Sequence, residues 1–151
     1  MKPAPADWPR ISSALFYDDA AAAIDWLCET FGFQVRLKVE GEGGRIEHSE
    51  LVFGEGLIMV GQGGGDRPGQ PRMVSPRATG GANTQNLCVY VDDVEAHHAR
   101  ARACGAEIFR ELETSNYGEE YNSDRSYGAL DLEGHQWFFM QRVRDGRRVA
   151  E

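Results

Sequence analysis

The feature that most constrains the fold is an internal duplication. Residues 11–62 and 84–142 contain the same series, in which a short apolar strand, an aspartate pair and a helix ending at a glycine precede three further strands. Asp19 and Asp93 lie 74 positions apart, and Gly32 and Gly105 lie 73 apart, so a single one-residue gap aligns both helix starts and both helix ends. Two ordered series of this kind predict a repeated βαβββ module.

The segments outside the repeats predict irregular structure. Residues 1–10 contain three prolines and should form an irregular arm, and residues 143–151 form a short tail. Residues 63–83 are dense in Gly and Pro without periodicity, which is typical of a linker that is mobile or ordered only by contacts. We expect arm, modules, linker and tail to make one structural domain overall.

Each helix is predicted to cover one face of its sheet. In the first repeat an apolar stripe at helical spacing consists of Ala20, Ala23, Ile24, Leu27 and Phe31. In the second repeat, strand alternation places Leu87, Val89 and Val91 towards the helix and Asn86, Cys88 and Tyr90 away from it. The segment from Glu113 to Asn122 is expected to be an irregular loop.

Charge and cysteine content exclude several classes of partner. The net charge of −8 and the pI near 5.0 argue against a nucleic-acid partner, which needs clustered Lys and Arg. Three cysteines without a C-x-x-C pair do not suit a disulfide framework. No segment has the length and hydrophobicity of a signal peptide or a membrane span. We therefore expect a cytoplasmic protein with no membrane partner.

Four motifs carry a resemblance to a known superfamily, namely DDAAAAIDWLCETFGF, HSELVFGEGLIMVG, YVDDVEAHHARARACGAEI and DLEGHQWFF. They resemble the vicinal oxygen chelate superfamily of glyoxalases, bleomycin-resistance proteins and dioxygenases, and are most similar to its PhnB-like and bleomycin-resistance branches. The resemblance implies an α+β fold of two tandem βαβββ modules. Each module would be a curled four-stranded mixed sheet with a helix on its convex face, and the two concave faces would enclose a ligand cavity.

The resemblance also permits a test for the divalent metal that enzymes of this superfamily hold with four side chains. Alignment of the repeats places Ser12, Ile58, Asn86 and Phe138 at those positions. None is a strong ligand for Zn, Ni, Mn or Fe. A slip of one residue on the last strands selects Leu57, Met59, Trp137 or Phe139, which are no better. We expect no metal cofactor, and a divalent metal is the disfavoured alternative.

Other residues offer weaker metal or catalytic candidates. His48 and Glu50 share one face of a strand, so the alternatives are a two-ligand site, a polar cavity wall or an exposed edge. The neighbouring His97 and His98 point about 100° apart on a helix and cannot chelate one ion together. His135 lies in the turn EGHQW, where a structural role or ligand contact are the alternatives. Cys88 has no base that the sequence can pair with it.

The cavity implied by the resemblance is apolar and aromatic. Its predicted lining consists of Phe16, Ile58, Asn86, Cys88, Tyr90 and Phe138, with His48 and Glu50 on a neighbouring strand. A planar or aromatic small molecule suits such a lining. Tyr117 and Arg125, in the segment TSNYGEEYNSDRSYG, are predicted to contact the ligand, while the acidic residues of that segment would favour a cationic one.

The favoured hypothesis is a metal-independent protein that binds or sequesters a small molecule. The resemblance to bleomycin-resistance proteins implies a homodimer, and a monomer closed by the two fused modules is the alternative. The first alternative is a glyoxalase-like lyase or isomerase, or a dioxygenase-like enzyme, with metal ligands outside the usual positions, such as His48 and Glu50. The second is a structural or regulatory module with a collapsed cavity.

Overall fold

The computed structural model describes residues 1–147 and divides into two compact units, the first spanning Met1–Ala82 and the second beginning at Asn83. Each unit contains one copy of the predicted βαβββ module, so the α+β tandem fold is confirmed. The part of the predicted tail from residue 148 onward lies outside the described residues. No helix within residues 1–147 is both long and apolar enough to cross a membrane.

The first module is one mixed sheet with one α-helix. In chain order its elements are β1 Ser13–Tyr17, α1 Ala20–Phe31, β2 Gln34–Glu40, β3 Ile46–Phe53 and β4 Gly56–Gln62. The strand order is β1-β4-β3-β2, with β1 parallel to β4 and the other pairs antiparallel. A parallel neighbour for β1 requires a crossover, which α1 and the two following strands provide.

Local chemistry determines where α1 begins and ends. The Asp19 carboxylate accepts a hydrogen bond from the Ala22 amide at 3.0 Å, which satisfies one of the free donors of the first turn. The helix ends at Gly32, whose φ of 85° is a left-handed conformation that glycine adopts without strain. Ile24, Leu27 and Phe31 are fully buried, and each contributes about 2 kcal/mol by its removal from water.

The second module repeats this arrangement. Its elements are β5 Asn86–Tyr90, α2 Val94–Ala103, β6 Glu107–Asn116, β7 Ser123–Leu130 and β8 Gln136–Arg144. The strand order is β5-β8-β7-β6, again with one parallel pair at the edge, β5 with β8.

Large strand side chains fill the second core because α2 offers only small ones. Asp93 caps α2 through the Ala96 amide at 3.0 Å, and only Val94 and Ala101 of the helix are fully buried. The sheet supplies the missing volume, with three aromatic side chains that are inaccessible to solvent, Tyr127, Trp137 and Phe139. Interior packing must be dense, so small helix residues require large partners.

Two segments expected to be irregular contain ordered structure. Strand β6 runs to Asn116, so the predicted loop 113–122 is wrong at its start, because Glu113 to Asn116 pair with the first residues of β7. In the predicted linker, the Gly63 amide donates to the Tyr17 carbonyl at 2.8 Å, and Pro76–Thr79 forms a short 3₁₀ helix beside the buried Ser75. Residues 63–82 therefore pack as part of the first unit.

Candidate functional site

Each sheet has one face covered by its helix and one face free of it, which we call the open face. Residues directly opposite each other on paired strands point to the same side, so the register assigns the faces. The open face of the first module includes Ala14, Phe16, His48, Glu50, Val52, Leu57 and Met59. That of the second includes Asn86, Cys88, Tyr90, Arg110, Asp124, Ser126, Phe138, Met140 and Arg142.

The structure corrects the predicted position of Ile58. Ile58 pairs with Ser13 and with the buried Leu51, which places it on the helix-covered face, where it is 7% exposed. Met59 occupies the open face instead, opposite Ala14 and Glu50. The repeat alignment was one residue out on β4, and Met59 is the counterpart of Phe138.

Glu50 lies at the centre of a charged cluster on the first open face. Only 8% of this residue is exposed. His48 Nε2 lies 3.0 Å from Glu50 Oε1, and Arg36 Nη1 lies 3.3 Å from Glu50 Oε2. Arg36 also pairs with Asp7 at 2.7 Å, and its guanidinium lies 5.6 Å from the centre of the Trp8 ring. The predicted pair His48 and Glu50 thus contact each other, and Arg36 connects Glu50 to Asp7 of the N-terminal arm.

The residues at the expected metal-ligand positions and in the Glu50 cluster do not fit a divalent metal. A catalytic site needs about three protein ligands with an open position. Met59 and Phe138 offer no hard donor, and the Glu50 carboxylate already faces the cationic Arg36. Within residues 1–147, no group of three or more His, Cys, Asp or Glu side chains is arranged to hold a metal ion.

The second open face centres on Phe138. Its half-buried ring meets Phe109 edge to face, with ring centres 5.4 Å apart and planes at 90°, and the Arg110 guanidinium lies 4.9 Å from its centre. Arg110 is fixed by Glu113 at 2.7 Å and by the Ser126 hydroxyl at 2.6 Å. Phe138 is therefore part of an aromatic and guanidinium surface.

A β-bulge directs Phe109 onto this face, and the first module has one at the equivalent place. The pairing of β6 with β7 shifts register between Ile108 and Arg110, and that of β2 with β3 shifts between Val35 and Leu37. The two sites lie 73 positions apart, which is the offset of the repeat after the helix. A bulge re-aims the extra side chain. It directs Phe109 to Phe138, and it directs Arg36 to Glu50.

A second arginine and aromatic pair lies further along β8. Arg142 donates to the Asp124 carboxylate and to the Tyr90 hydroxyl, both at 2.6 Å, and its guanidinium lies 5.3 Å from the Tyr90 ring centre. The hydrogen bond with Asp124, followed by that with Tyr90, raises the pKa of Arg142 above its ordinary value, so the guanidinium stays cationic. Tyr90 is 51% exposed and available for contact.

The remaining predicted residues fall in different places. Asn86 and Cys88 are exposed on the second open face, and Phe16 is half-buried on the first. Arg125 lies on the helix-covered side, where its Nε donates to Glu95 of α2 at 2.5 Å. Tyr117, 72% exposed, follows the end of β6. The structure therefore does not bring Arg125 together with Phe138.

The other histidines have structural surroundings. His97 Nδ1 is 2.7 Å from the Tyr127 hydroxyl, and His98 Nε2 is 3.2 Å from Glu111. The amide of His135 donates to the Asp131 carboxylate at 3.0 Å. In the motif DLEGHQW the carboxylate of Asp131 is therefore the acceptor for the backbone amide of the turn.

Sequence reasoning missed Phe109, Arg110, Arg36 and Trp8. Only the bulges bring Phe109 and Arg36 to the open faces, and simple alternation along the strands does not reveal a bulge. Once one bulge is known, the repeat offset of 73 positions locates the other. The N-terminal arm gave no periodic signal for Trp8.

Comparison with known proteins agrees with this fold and these motifs. The family model of the Glyoxalase/Bleomycin resistance protein/Dioxygenase superfamily matches residues 10–139. The chain belongs to that superfamily.

Similar proteins include both uncharacterised and solved examples. An uncharacterised protein of Mycobacterium bovis is 30% identical over 137 residues, which cover 91% of this chain and 86% of the relative. TioX from Micromonospora sp. ML1 is 34% identical, with a TM-score of 0.66 over 88% of this chain and 95% of that one. TnmS3, an antibiotic binding protein from Streptomyces sp. CB03234, is 18% identical, with a TM-score of 0.61 over 87% and 93%. The last similarity concerns the fold alone.

Proposed function

We propose that this protein binds a planar aromatic small molecule on the second open face, without a metal ion and without chemical conversion. The observation that carries the proposal is the surrounding of Phe138. At a position where related enzymes place a metal ligand, this chain has an aromatic ring supported by Phe109 and Arg110.

The chemistry of the face favours stacking. Tyr90 and Phe109 are 51% and 43% exposed, so both rings can contact a ligand. Offset or edge-to-face aromatic contacts contribute about 1 kcal/mol each beyond the burial of apolar area. The charges of Arg110 and Arg142 are balanced by Glu113 and Asp124, which leaves ring shape as the main basis of selection. One solved protein with the same fold, TnmS3, is described as an antibiotic binding protein.

A titration with planar probes of different charge tests the proposal. We suggest ethidium, anthraquinone-2-sulfonate and the uncharged 1,4-dihydroxyanthraquinone, followed by fluorescence and calorimetry. At least one probe should bind saturably, and Phe138→Ala should weaken binding about tenfold, since it removes the central ring.

The control lies on the same strand. Val143→Ala changes an exposed residue of β8 five positions after Phe138, and it should leave affinity unchanged. Equal loss in both variants, or no saturable binding of any probe, would contradict the proposal.

Metal independence needs its own measurement. Protein purified with Zn²⁺, Ni²⁺, Mn²⁺ and Fe²⁺ present should retain much less than one metal ion per chain after dialysis. Chelator treatment should change neither its melting temperature nor probe affinity. Retention of one ion per chain, with its loss on His48→Ala, would favour the enzyme alternative instead.

We further propose that the protein is a homodimer. Apolar side chains of the exposed edge strand β2 support this proposal, since Leu37 and Val39 are 42% and 43% exposed. Association would remove them from water.

A further inference from the structure

An open pocket lies between the N-terminal arm and the β3–β4 hairpin of the first module. Its volume is about 400 Å³, and its lining residues are Ala6, Asp7, Trp8, Pro9, Val52, Gly54, Glu55, Gly56 and Leu57. Val52 and Leu57 pair directly with each other on the open face, so the arm lies over one end of that face. The pocket has the size of a small-molecule site.

A buried charge holds the arm in this position. Arg36 bridges Asp7 of the arm and Glu50 of β3, at 2.7 and 3.3 Å, and its guanidinium packs on Trp8. The side chain of Glu50 is 10% exposed, and a carboxylate so far removed from water requires a partner. Release of Arg36 would leave that charge poorly compensated. The position of Trp8 is therefore tied to the interior of the module.

The lining has the chemistry of a cation site. It combines the aromatic ring of Trp8 and the apolar Val52 and Leu57 with the carboxylates of Asp7 and Glu55, and the nearest described cation is Arg36, which lies 5.6 Å from the Trp8 ring centre and is paired with Asp7. Asp7 is already paired with Arg36, whereas Glu55 forms no ion pair among the described residues. Tryptophan is the best aromatic receptor for organic cations, and the net charge of −8 attracts them over a longer range.

We infer that this pocket binds a small organic cation of the quaternary-ammonium type, with Trp8 as the aromatic contact and Glu55 as the counter-charge. The site lies in the first module and does not depend on the aromatic ligand proposed for the second. The two proposals can therefore be tested and refuted independently.

The test compares choline with its uncharged isostere 3,3-dimethylbutan-1-ol on the full chain, by titration in NMR and by tryptophan fluorescence. Choline should bind saturably with a Kd of about 0.1–10 mM. The isostere should bind at least about fivefold more weakly, because it lacks the charge that the ring and the carboxylate recognise.

Three variants identify the site. Trp8→Leu and Glu55→Gln should each weaken choline binding about three- to tenfold. Glu107→Gln, which removes an exposed carboxylate in the second module, should leave it unchanged. Thermal unfolding of each variant checks that it is folded, since Trp8 is half-buried and only Glu55 is fully at the surface. Equal affinity for the isostere, no saturable choline binding, or unchanged binding in both pocket variants would overturn the inference.

Discussion

At the scale of single residues, Asp131 shows how one buried side chain organises a turn. One carboxylate oxygen accepts from the amides of Glu133, Gly134 and His135, at 3.1, 3.1 and 3.0 Å, and the other accepts from Trp137 Nε1 at 3.0 Å. Asp131 is 6% exposed. Hydrogen bonds to a charged acceptor contribute about 1.5–3 kcal/mol each before the cost of desolvation. The motif DLEGHQW is therefore explained by folding.

We predict that Asp131→Ala lowers the free energy of unfolding by about 3 kcal/mol, because it leaves four donors without their acceptor. Urea denaturation of the variant and the parent protein measures the difference. The control is Asp66→Asn, an exposed carboxylate in the segment between the modules, which should change stability by less than about 0.5 kcal/mol. Similar stabilities of Asp131→Ala and the parent would contradict this account of the turn.

Tyr127 predicts a pH dependence. Its side chain is 0% exposed, and burial raises the pKa of the phenol well above its usual value of 10.0. Above pH 10 the folded protein keeps this proton while the unfolded chain loses it, so stability falls with rising pH by about 1.4 kcal/mol per unit for this group. Below pH 10 both states hold the proton and the effect is absent.

The matched variant is Tyr127→Phe, which cannot ionise. At pH 8 it should be about 1 kcal/mol less stable than the parent because it loses the hydrogen bond to His97. Between pH 10 and 11 that gap should narrow or reverse. Urea denaturation of both proteins at pH 8, 9, 10 and 11 measures this difference in stability. Parallel stability curves for the two proteins would show that Tyr127 ionises with an ordinary pKa.

At the scale of elements, the helices could be predicted and the bulges could not. The limits of α1 depend on signals adjacent in sequence, the aspartate pair before it and the glycine after it. Sequence therefore predicted where the helix lies, and the structure shows that Asp19 is the cap. The faces of β4 and the bulges at Arg36 and Phe109 depend on pairing between strands. Distant residues set that register, and a shift of one residue exchanges the faces. Alignment of the repeats therefore selects Ile58, with Met59 as its one-residue alternative, and only the pairing of β4 shows that Met59 lies on the open face.

The bulge of β6 gives a prediction through Gly128. A methyl group added at Gly128 would lie 2.5 Å from the ring of Phe109. Phe109 is 43% exposed and can rotate away, so Gly128→Ala should cost less than about 1.5 kcal/mol of stability. It should nevertheless separate Phe109 from Phe138 and weaken the planar probe that binds the parent protein about threefold or more.

Calorimetric titration and urea denaturation of Gly128→Ala separate the two effects. Phe109→Ala is the companion variant, because it removes the same ring without crowding β7. The two variants should lose affinity to a similar degree. Unchanged affinity in both would exclude Phe109 from the binding surface.

At the scale of the whole molecule, one repeat supports two different open faces. In the first module the bulge residue is Arg36, which connects the arm to Glu50, and in the second it is Phe109, which packs against Phe138. Both modules share the β-bulge, but the side chain at the bulge differs between them. Duplication predicted the repeated βαβββ module, and the resemblance to the superfamily supplied the fold of each copy. The chemistry of each face had to be taken from the three-dimensional contacts of its own residues.

The last prediction concerns association. Leu37 and Val39 lie on β2, all of whose residues are exposed. Because β2 is the last strand of the first sheet, it pairs with β3 on one side and with no strand of that sheet on the other. Edge strands with exposed apolar side chains favour pairing with another chain. Light scattering after size-exclusion chromatography should therefore give a mass about twice 16.8 kDa.

The double change Leu37→Lys and Val39→Lys should shift the protein towards a monomer, because it places unpaired charges in the contact. Met73→Lys, at an apolar residue of similar exposure outside the strands, should leave the dimer intact. A parent protein that remains at 16.8 kDa at every concentration would refute the dimer, and a dimer that survives the double change would show that β2 is not its contact.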